Sequence, residues 1–526
     1  MTMRRRGNNM PGFLGGEVNI MPPDSKPPQP LRAKVSLQLV VAILLASATS
    51  HSEDLYFLHS AYAAGAQGAM FVHEVEVFNP ASSRANLNVC WLPRGADNST
   101  PLCVDVTVDP DRATRFENFL NSVFGIEPDV AGALRVTPSA GDLQFHSRVI
   151  NVSDAGTFGQ IVPALPASNA VSQGQNAYVM HLGENDDIRA NIGCVNGRNT
   201  PVRINIDMYD ATGAMLETRT MDLGPWSNNQ INRIFRNYQP VNGYVDVWTP
   251  TSGGAFYCFG SVLDNLTSDP RYEPAVNPNE NEFEYYIPIT FNTAASSSDL
   301  SLFSPFGNVT AEVDLLRTGW DNTSHVSFSA FVPAGEESRF DNVLAALFNH
   351  SGTAALRVSV SNGPPVQVSV QTSNESPTGP MHQHVPALAE SAQIEHGESA
   401  ALIHLKEGGG FRTDVGFVNT SAFSIEVELE LHGELGNALG SIPIQVLPFG
   451  HYQLDSVFAA VGHPLVPVGF AVVQTTTPNG SFLAYGTVTD LRTRDAYHVT
   501  ANTLFVSVFS DGFESGDTSR WSVTVP

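Results

Sequence analysis

The chain has 526 residues, 42% hydrophobic and 15% charged, long enough for three or four domains and apolar enough to bury real cores. Its 52 acidic and 27 basic residues leave a net charge of −25, which argues against nucleic acid or anionic membrane as the partner, because phosphate binding needs clustered basic side chains. The 43 glycines and 35 prolines lie between short Val-, Phe- and Thr-rich runs, the punctuation of sandwiches and barrels.

Residues 1–48 read as a leader. Arg32 and Lys34 precede the apolar run Val35–Leu45, and Ala46-Ser47-Ala48 follows, the charged, apolar, small order of a signal peptide cleaved near Ala48. The run is shorter than the ~20 residues of a spanning helix. An uncleaved anchor is the alternative. The mature chain is expected at the cell surface or outside the cell, without a transmembrane segment. Four cysteines suit an oxidising milieu. Of their three possible pairings, Cys90–Cys103 and Cys194–Cys258 are favoured because each lies inside one repeat unit. The first would staple a hairpin and the second would join two core strands.

Beyond the leader the chain repeats itself. Val162–Asn196 returns at Val385–Asn419, with Gly174 and Gly397, His181 and His404, and Arg189 and Arg412 at one offset (412 − 189 = 223). Arg115-Phe-Glu-Asn-Phe-Leu returns as Arg339-Phe-Asp-Asn-Val-Leu (339 − 115 = 224), with weaker relatives at Gln230 and Gln453. Self-similarity of this kind means copies of one structural unit. The expected fold is all-β: four tandem immunoglobulin-like β-sandwich units, arranged as two duplicated pairs. They span 55–165, 166–276, 284–388 and 389–502, with a polar linker at 277–283 and a tail at 503–526. Joints rich in Pro and Ala, Val162–Pro166 and Val385–Ala389, couple the units within each pair. The motifs place Glu117, Asn232, Asp341 or Asp455 ahead of apolar residues at helical spacing. Asn and Asp cap free N–H groups well, so each unit is expected to carry one short helix. Val202–Tyr209 and Ile425–Leu431 alternate as strands with one wet face. Cys194 matches Phe417 and Cys258 matches Ala484. A large–small pair thus stands where the other unit has a disulfide, as at two facing core positions of an immunoglobulin-like sandwich.

One constellation recurs. His181 and Arg189 flank Gly183–Asp187, as His404 and Arg412 flank Lys406–Gly410. In hairpins centred on Asn185 and Gly408, Met180, Leu182, Ile188 and Ile192 would face inward, as would Ile403, Leu405, Phe411 and Val415. His181, Arg189 and Asn191, with His404, Arg412 and Asp414, would face outward. Such a patch would suit a carboxylate or a sugar; the favoured reading is a cross-strand polar pair that fixes register or packs against the neighbouring unit. Glu184–Asp187 offers calcium-type oxygens, but its counterpart is Glu407 followed by three glycines. His382 and His384 lack a third ligand. No metal site and no cofactor is expected. HExxH, G-x-S-x-G, P-loop and dinucleotide fingerprints are all missing, so no catalytic residue is nominated.

Phe411-Arg-Thr-Asp-Val-Gly-Phe-Val-Asn419 and Val162-Pro-Ala-Leu-Pro166 resemble the tandem β-sandwich repeats of secreted bacterial proteins of unknown function, over most of 55–502. The third unit departs most, with Phe303-Ser-Pro-Phe306 where the others have an Asn-ended strand. Phe509-Ser-Asp-Gly-Phe-Glu-Ser-Gly-Asp-Thr-Ser-Arg-Trp521 resembles the D-G-F-E-S-G-D/N-T-S-x-W tail of exported bacterial proteins, either a sorting signal or an acidic loop before a last strand. The resemblance implies architecture and export rather than activity. The expected function is a secreted or cell-surface, non-enzymatic scaffold or adhesive protein. An extracellular carbohydrate- or protein-ligand-binding module is the alternative, and a hydrolase on a β scaffold is the third reading.

Overall fold

Buried Val202, Ile204, Ile206 and Met208 alternate with more exposed neighbours along Val202–Asp210, and Ile425–Gly433 repeats the pattern. Each such strand lays one face on a core and turns the other outward. The computed structural model describes residues 53–504, apart from 65–69, 140–141, 155, 241 and 377–378. The expected signal peptide and the Phe509–Trp521 tail motif lie outside the described residues. What is described is all-β. Strands gather in four consecutive blocks: 55–166, 171–276 and 284–389 each form a nine-stranded system, and 394–504 forms two five-stranded sheets. Each block has its own apolar cluster, centred on residues such as Phe57, Ile206, Val313 and Leu429.

Three short helices are present among the described residues, Phe119–Phe124, Val343–Phe348 and Val457–Ala460, rather than one in every block. Each starts one residue later than the spacing predicts. Asn118 caps the first by accepting from the Asn121 N–H, while Asn342 and Ser456 take left-handed conformations and cap nothing. In the second block the counterpart is a pair of turns, Arg236 N–H to Arg233 and Tyr238 N–H to Phe235. Left-handed Arg233 precedes the segment, as Asn342 and Ser456 precede the helices, and left-handed Gln239 followed by Pro240 closes it. Ile234 and Phe235 still plug the core there, fully buried.

Both expected disulfides form, Cys90–Cys103 and Cys194–Cys258. The second differs from the expected inter-sheet bridge. Cys194 and Cys258 are register partners on adjacent strands of one sheet, as are Phe417 and Ala484 in the fourth block. The large–small pair therefore fills two lateral neighbours, not two facing sheets.

The blocks then close on one another in a circuit, through two kinds of joint that each occur twice. The first block meets the second through Asn98, whose N–H and Nδ2 donate to the carbonyls of Pro225 and Trp226. The third meets the fourth identically, Asn322 donating to Pro448 and Phe449. In the same joints an aromatic ring lies across a glycine of the next strand, Phe259 on Gly193 and Tyr485 on Gly416. These rings enter the cores of the first and third blocks. A Cβ on Gly416 would stand 2.1 Å from the Tyr485 ring. Gly416→Ala is therefore expected to cost about 1–3 kcal/mol, read as a lower urea midpoint; an unchanged midpoint would mean that the ring is free to retreat. The other joint kind stacks Phe303 on Tyr244 at 4.7 Å between the third and second blocks. Phe78 stacks on Phe470 at 4.6 Å between the first and fourth. With these four joints the circuit is complete.

Candidate functional site

The His/Arg segments do not form hairpins. Asn176–Leu182 pairs with Gly243–Trp248 and Pro270–Val276, whereas Ile188–Asn196 pairs with Asn228–Ile231 and Ala255–Asp264. In the fourth block Ser399–Glu407 and Phe411–Asn419 likewise diverge into separate sheets after a tight turn at Gly408–Phe411. His181 (φ 57°) and His404 (φ 65°) each sit where the strand register slips. The slip is a bulge, which re-aims side chains. It turns both histidines into buried positions instead of outward, and it moves Met180 and Ile403 from the block cores into the joints.

His404 is the hinge of the joint between the first and fourth blocks. Its Nε2 stands 3.1 Å from Glu74 Oε2, its N–H donates to Glu76 Oε1 at 2.6 Å, and its carbonyl accepts from the Tyr497 hydroxyl at 2.7 Å. The His146 ring abuts it, Nδ1 to Nδ1. Arg115 ties the same joint, bonding Glu76 at 2.7 Å and the Leu405 carbonyl at 3.1 Å. His181 occupies the matching place between the second and third blocks, 3.7 Å from Glu337, with its carbonyl accepting from Arg271 at 3.1 Å. Burial, reinforced by Arg271 and Arg339, drives the His181 imidazole well below its usual range; burial does the same to His404, against the pull of Glu74. The remaining candidates serve turns. Arg189 donates to Asn265 at 2.6 Å, Asn191 accepts from the Arg233 N–H, and Arg412 pairs with Asp414, which accepts from the Ser456 N–H. The six residues converge on no common patch. Glu184 is taken by Arg233 at 2.6 Å, and no group of three or more His, Cys, Asp or Glu able to hold a metal occurs among the described residues.

Where the six do not converge, one strand late in each block does. Gly156–Ile161, Pro270–Val276, Met381–Val385 and Ala496–Thr500 meet one another around a cavity of about 530 Å³. That is the size of a small-molecule site. His382 and His384 point to the same wall, joined by His146 and His498. Burial holds His146 and His498 down to about 3 and His382 and His384 to about 4. Six polar atoms of lining residues are closed to solvent and have no hydrogen-bond partner: Gln144 Oε1, His146 Nε2, Tyr272 Oη, Gln383 Oε1, His384 Nδ1 and His498 Nε2.

Two aspartates lead into these strands at equivalent places (495 − 269 = 226). Asp495 Oδ2 accepts from Arg148 Nη2 at 3.1 Å and from the Gly159 N–H at 3.2 Å, while Asp269 Oδ2 accepts from the His382 N–H at 2.8 Å. Burial pushes Asp495 up to about 7 against the pull of Arg148, and raises Asp269 further above the carboxylate range. The repeated Asp-x4-Asp, 264–269 and 490–495, was a signal for this place, as was Gly-x-Asp-Asn-[Ser/Thr] at Gly95 and Gly319 for the joints.

No family matches the chain, and no curated protein does. Among solved structures it is similar to a Streptomyces avermitilis alpha-L-rhamnosidase complexed with L-rhamnose, at 11% identity and a TM-score of 0.13, over 80% of this chain. The match spans 55% of that protein, and a likeness so slight bears on neither fold nor function. No helix among the described residues is long and apolar enough to cross a membrane.

Proposed function

We propose that the chain is an exported, non-enzymatic binding protein in which four immunoglobulin-like sandwiches serve as a rigid scaffold round one small-molecule cavity. A single observation carries this reading: one strand from each of the four blocks converges on a cavity of about 530 Å³ lined by apolar and polar side chains. A concave site of this size, with a mostly apolar wall and a few polar groups, has the usual form of a small-molecule pocket. The two disulfides suit an oxidising compartment.

The wall is poorly equipped for catalysis. Ser147 Oγ lies 3.0 Å from His73 Nε2, the contact of a nucleophile with its base. However, Ser147 donates its proton to the Val162 carbonyl at 2.7 Å, so His73 must be the donor to Ser147. Burial also holds His73 down to about 3, too low for a base at neutral pH. Asp142 is the one carboxylate among the lining residues, which leaves no acid–base pair of carboxyls.

Native mass spectrometry of the mature protein, as purified or after exposure to a metabolite mixture, tests the proposal. A small-molecule adduct is expected, and Thr500→Trp, which fills the cavity from a half-buried wall position, should abolish it with little change in Tm. Protein without adducts in every mixture would return the chain to the role of a plain scaffold.

A further inference from the structure

We infer that the outermost strand of the third block, Val326–Val332, seats a second copy of this chain, the two strands pairing antiparallel about a twofold axis at Ser329. Four equivalent edges carry the inference when they are compared. In each block one sheet ends in a strand whose last residue pairs with the first of its neighbour: Val108 with Ala85, Leu223 with Val202, Val332 with Val309 and Val446 with Ile425. An outermost strand leaves a row of N–H and C=O groups unpaired, and charges or prolines on it keep other strands away.

Three of the four edges carry such devices. Leu102–Val108 has Asp105 and the Cys103 bridge, Met215–Leu223 has Glu217, Arg219 and Asp222, and Ala438–Val446 has Pro443. Val326–Val332 reads Val-Ser-Phe-Ser-Ala-Phe-Val, with neither charge nor proline. Counted back from the shared last residue, Ser329 stands where the first block has Asp105 and the fourth has Pro443 (332 − 329 = 108 − 105 = 446 − 443). Phe331 stands where the second block has Asp222 (332 − 331 = 223 − 222). Five of the seven residues are exposed, Val326 at 52% and Phe331 at 60%. Pro443 keeps its place in a paired strand without an N–H, so that position turns its backbone to the open side. Ser329 does the same and, by alternation, so do Ser327 and Phe331. The Phe331 carbonyl accordingly accepts from a side chain, Ser338 Oγ, at 3.3 Å.

Charge and symmetry select the occupant. At a net charge of −25 two copies repel, and contact between them is least opposed where neither side bears a charge. About Ser329 the strand reads nearly the same in both directions. Val326 would face Val332 of the second copy, Ser327 would face Phe331, and Phe328 would face Ala330, an isologous contact. The apolar row Val326, Phe328, Ala330 and Val332 then runs unbroken across the seam, and the three outward positions exchange about six backbone bonds.

Sedimentation velocity of the mature protein, over a dilution series reaching about 100 μM, tests the pairing. A reversible dimer is expected, tightening as salt rises because screening relieves the repulsion. Ser329→Pro and Phe331→Asp each copy what another block carries at that place. Each should weaken the dimer about tenfold or more without lowering the unfolding midpoint. A dimer indifferent to either substitution, or a monomer at every dilution, would overturn the pairing. A monomer that takes up a synthetic Val-Ser-Phe-Ser-Ala-Phe-Val peptide would overturn it too, assigning the edge to a foreign strand.

Discussion

Arg148→Met is expected to cost about 3–5 kcal/mol at pH 9 and clearly less at pH 5. Arg148 belongs to the first block and is fully buried. Its Nη2 meets Asp495 of the fourth block at 3.1 Å, and its guanidinium lies 3.9 Å over the Tyr497 ring. Removing the cation leaves a buried carboxylate with only the backbone N–H groups of Gly159 and Ala496 as donors. Asp495 already titrates near 7, raised by burial. The sign follows from that direction. A carboxyl whose folded pKa lies above its unfolded value is held protonated at low pH without penalty, and its penalty grows as pH rises through the folded pKa. At pH 5 the variant therefore loses a hydrogen bond and a ring contact; at pH 9 it also bears an unpaired charge. Arg148→Met combined with Asp495→Asn keeps an acceptor for Gly159 and removes the carboxyl. Its deficit should be smaller and flat with pH. Equal deficits at pH 5 and pH 9 for the single variant, measured by denaturant unfolding, would show that Asp495 keeps one protonation state across that range.

Abrupt unfolding between about pH 4 and pH 3, after a nearly level range above it, is the second large effect. Nine imidazoles are pushed down by burial: His59, His73, His146, His451 and His498 to about 3, His382 and His384 to about 4, His181 and His404 well below their usual range. From about pH 6.5 downward the unfolded chain takes up protons that these groups refuse in the folded state, so they withdraw stability as pH falls. Carboxyls raised by burial work the other way. Glu273 and Asp495 sit near 7 and Asp246 near 6, with Glu76, Glu337, Asp269, Glu407 and Asp414 also raised. Folded, they hold protons that the unfolded chain releases, and so they add stability as pH falls toward about 4. The two sets offset one another until the carboxyls are protonated in both states. Below that point the imidazoles act alone. At about 1.4 kcal/mol per proton and pH unit, their sum approaches roughly 10 kcal/mol for each pH unit, as large as the whole stability of a typical domain. Circular dichroism through an acid titration should show the cliff. A gradual loss beginning near pH 6 would mean that the imidazoles are reached by solvent and protonate in place.

Much of the architecture is legible from local pattern. Alternation along Val202–Met208 and Ile425–Leu431 announces strands with one buried face. A constant offset between His181 and His404 announces repetition. Pairing the cysteines inside repeat units selects the two bridges that form. The His/Arg segments mislead because a tight turn looks the same whether its two arms pair or part. Only the partners of Asn176–Leu182 and Ile188–Asn196, scores of residues away, settle that they part. In the second block the equivalent segment closes into turns before left-handed Gln239, a conformation that sequence spacing does not encode. The cavity was hidden for a deeper reason. Each of its four walls is an ordinary strand of its own block, and only their mutual approach makes a cavity.

Closing the circuit also dictates an order of events at birth. The Glu76 carboxylate waits for the amide of His404, 328 positions downstream, and Phe78 waits for the still later Phe470. Contacts so distant along the chain form slowly. A polypeptide threaded out amino end first must therefore display an acidic, aromatic flank on its opening block until the closing one emerges. For that interval the nascent molecule is an incomplete clasp, exposed to self-association, and any premature stop before residue 404 would leave it permanently unfastened.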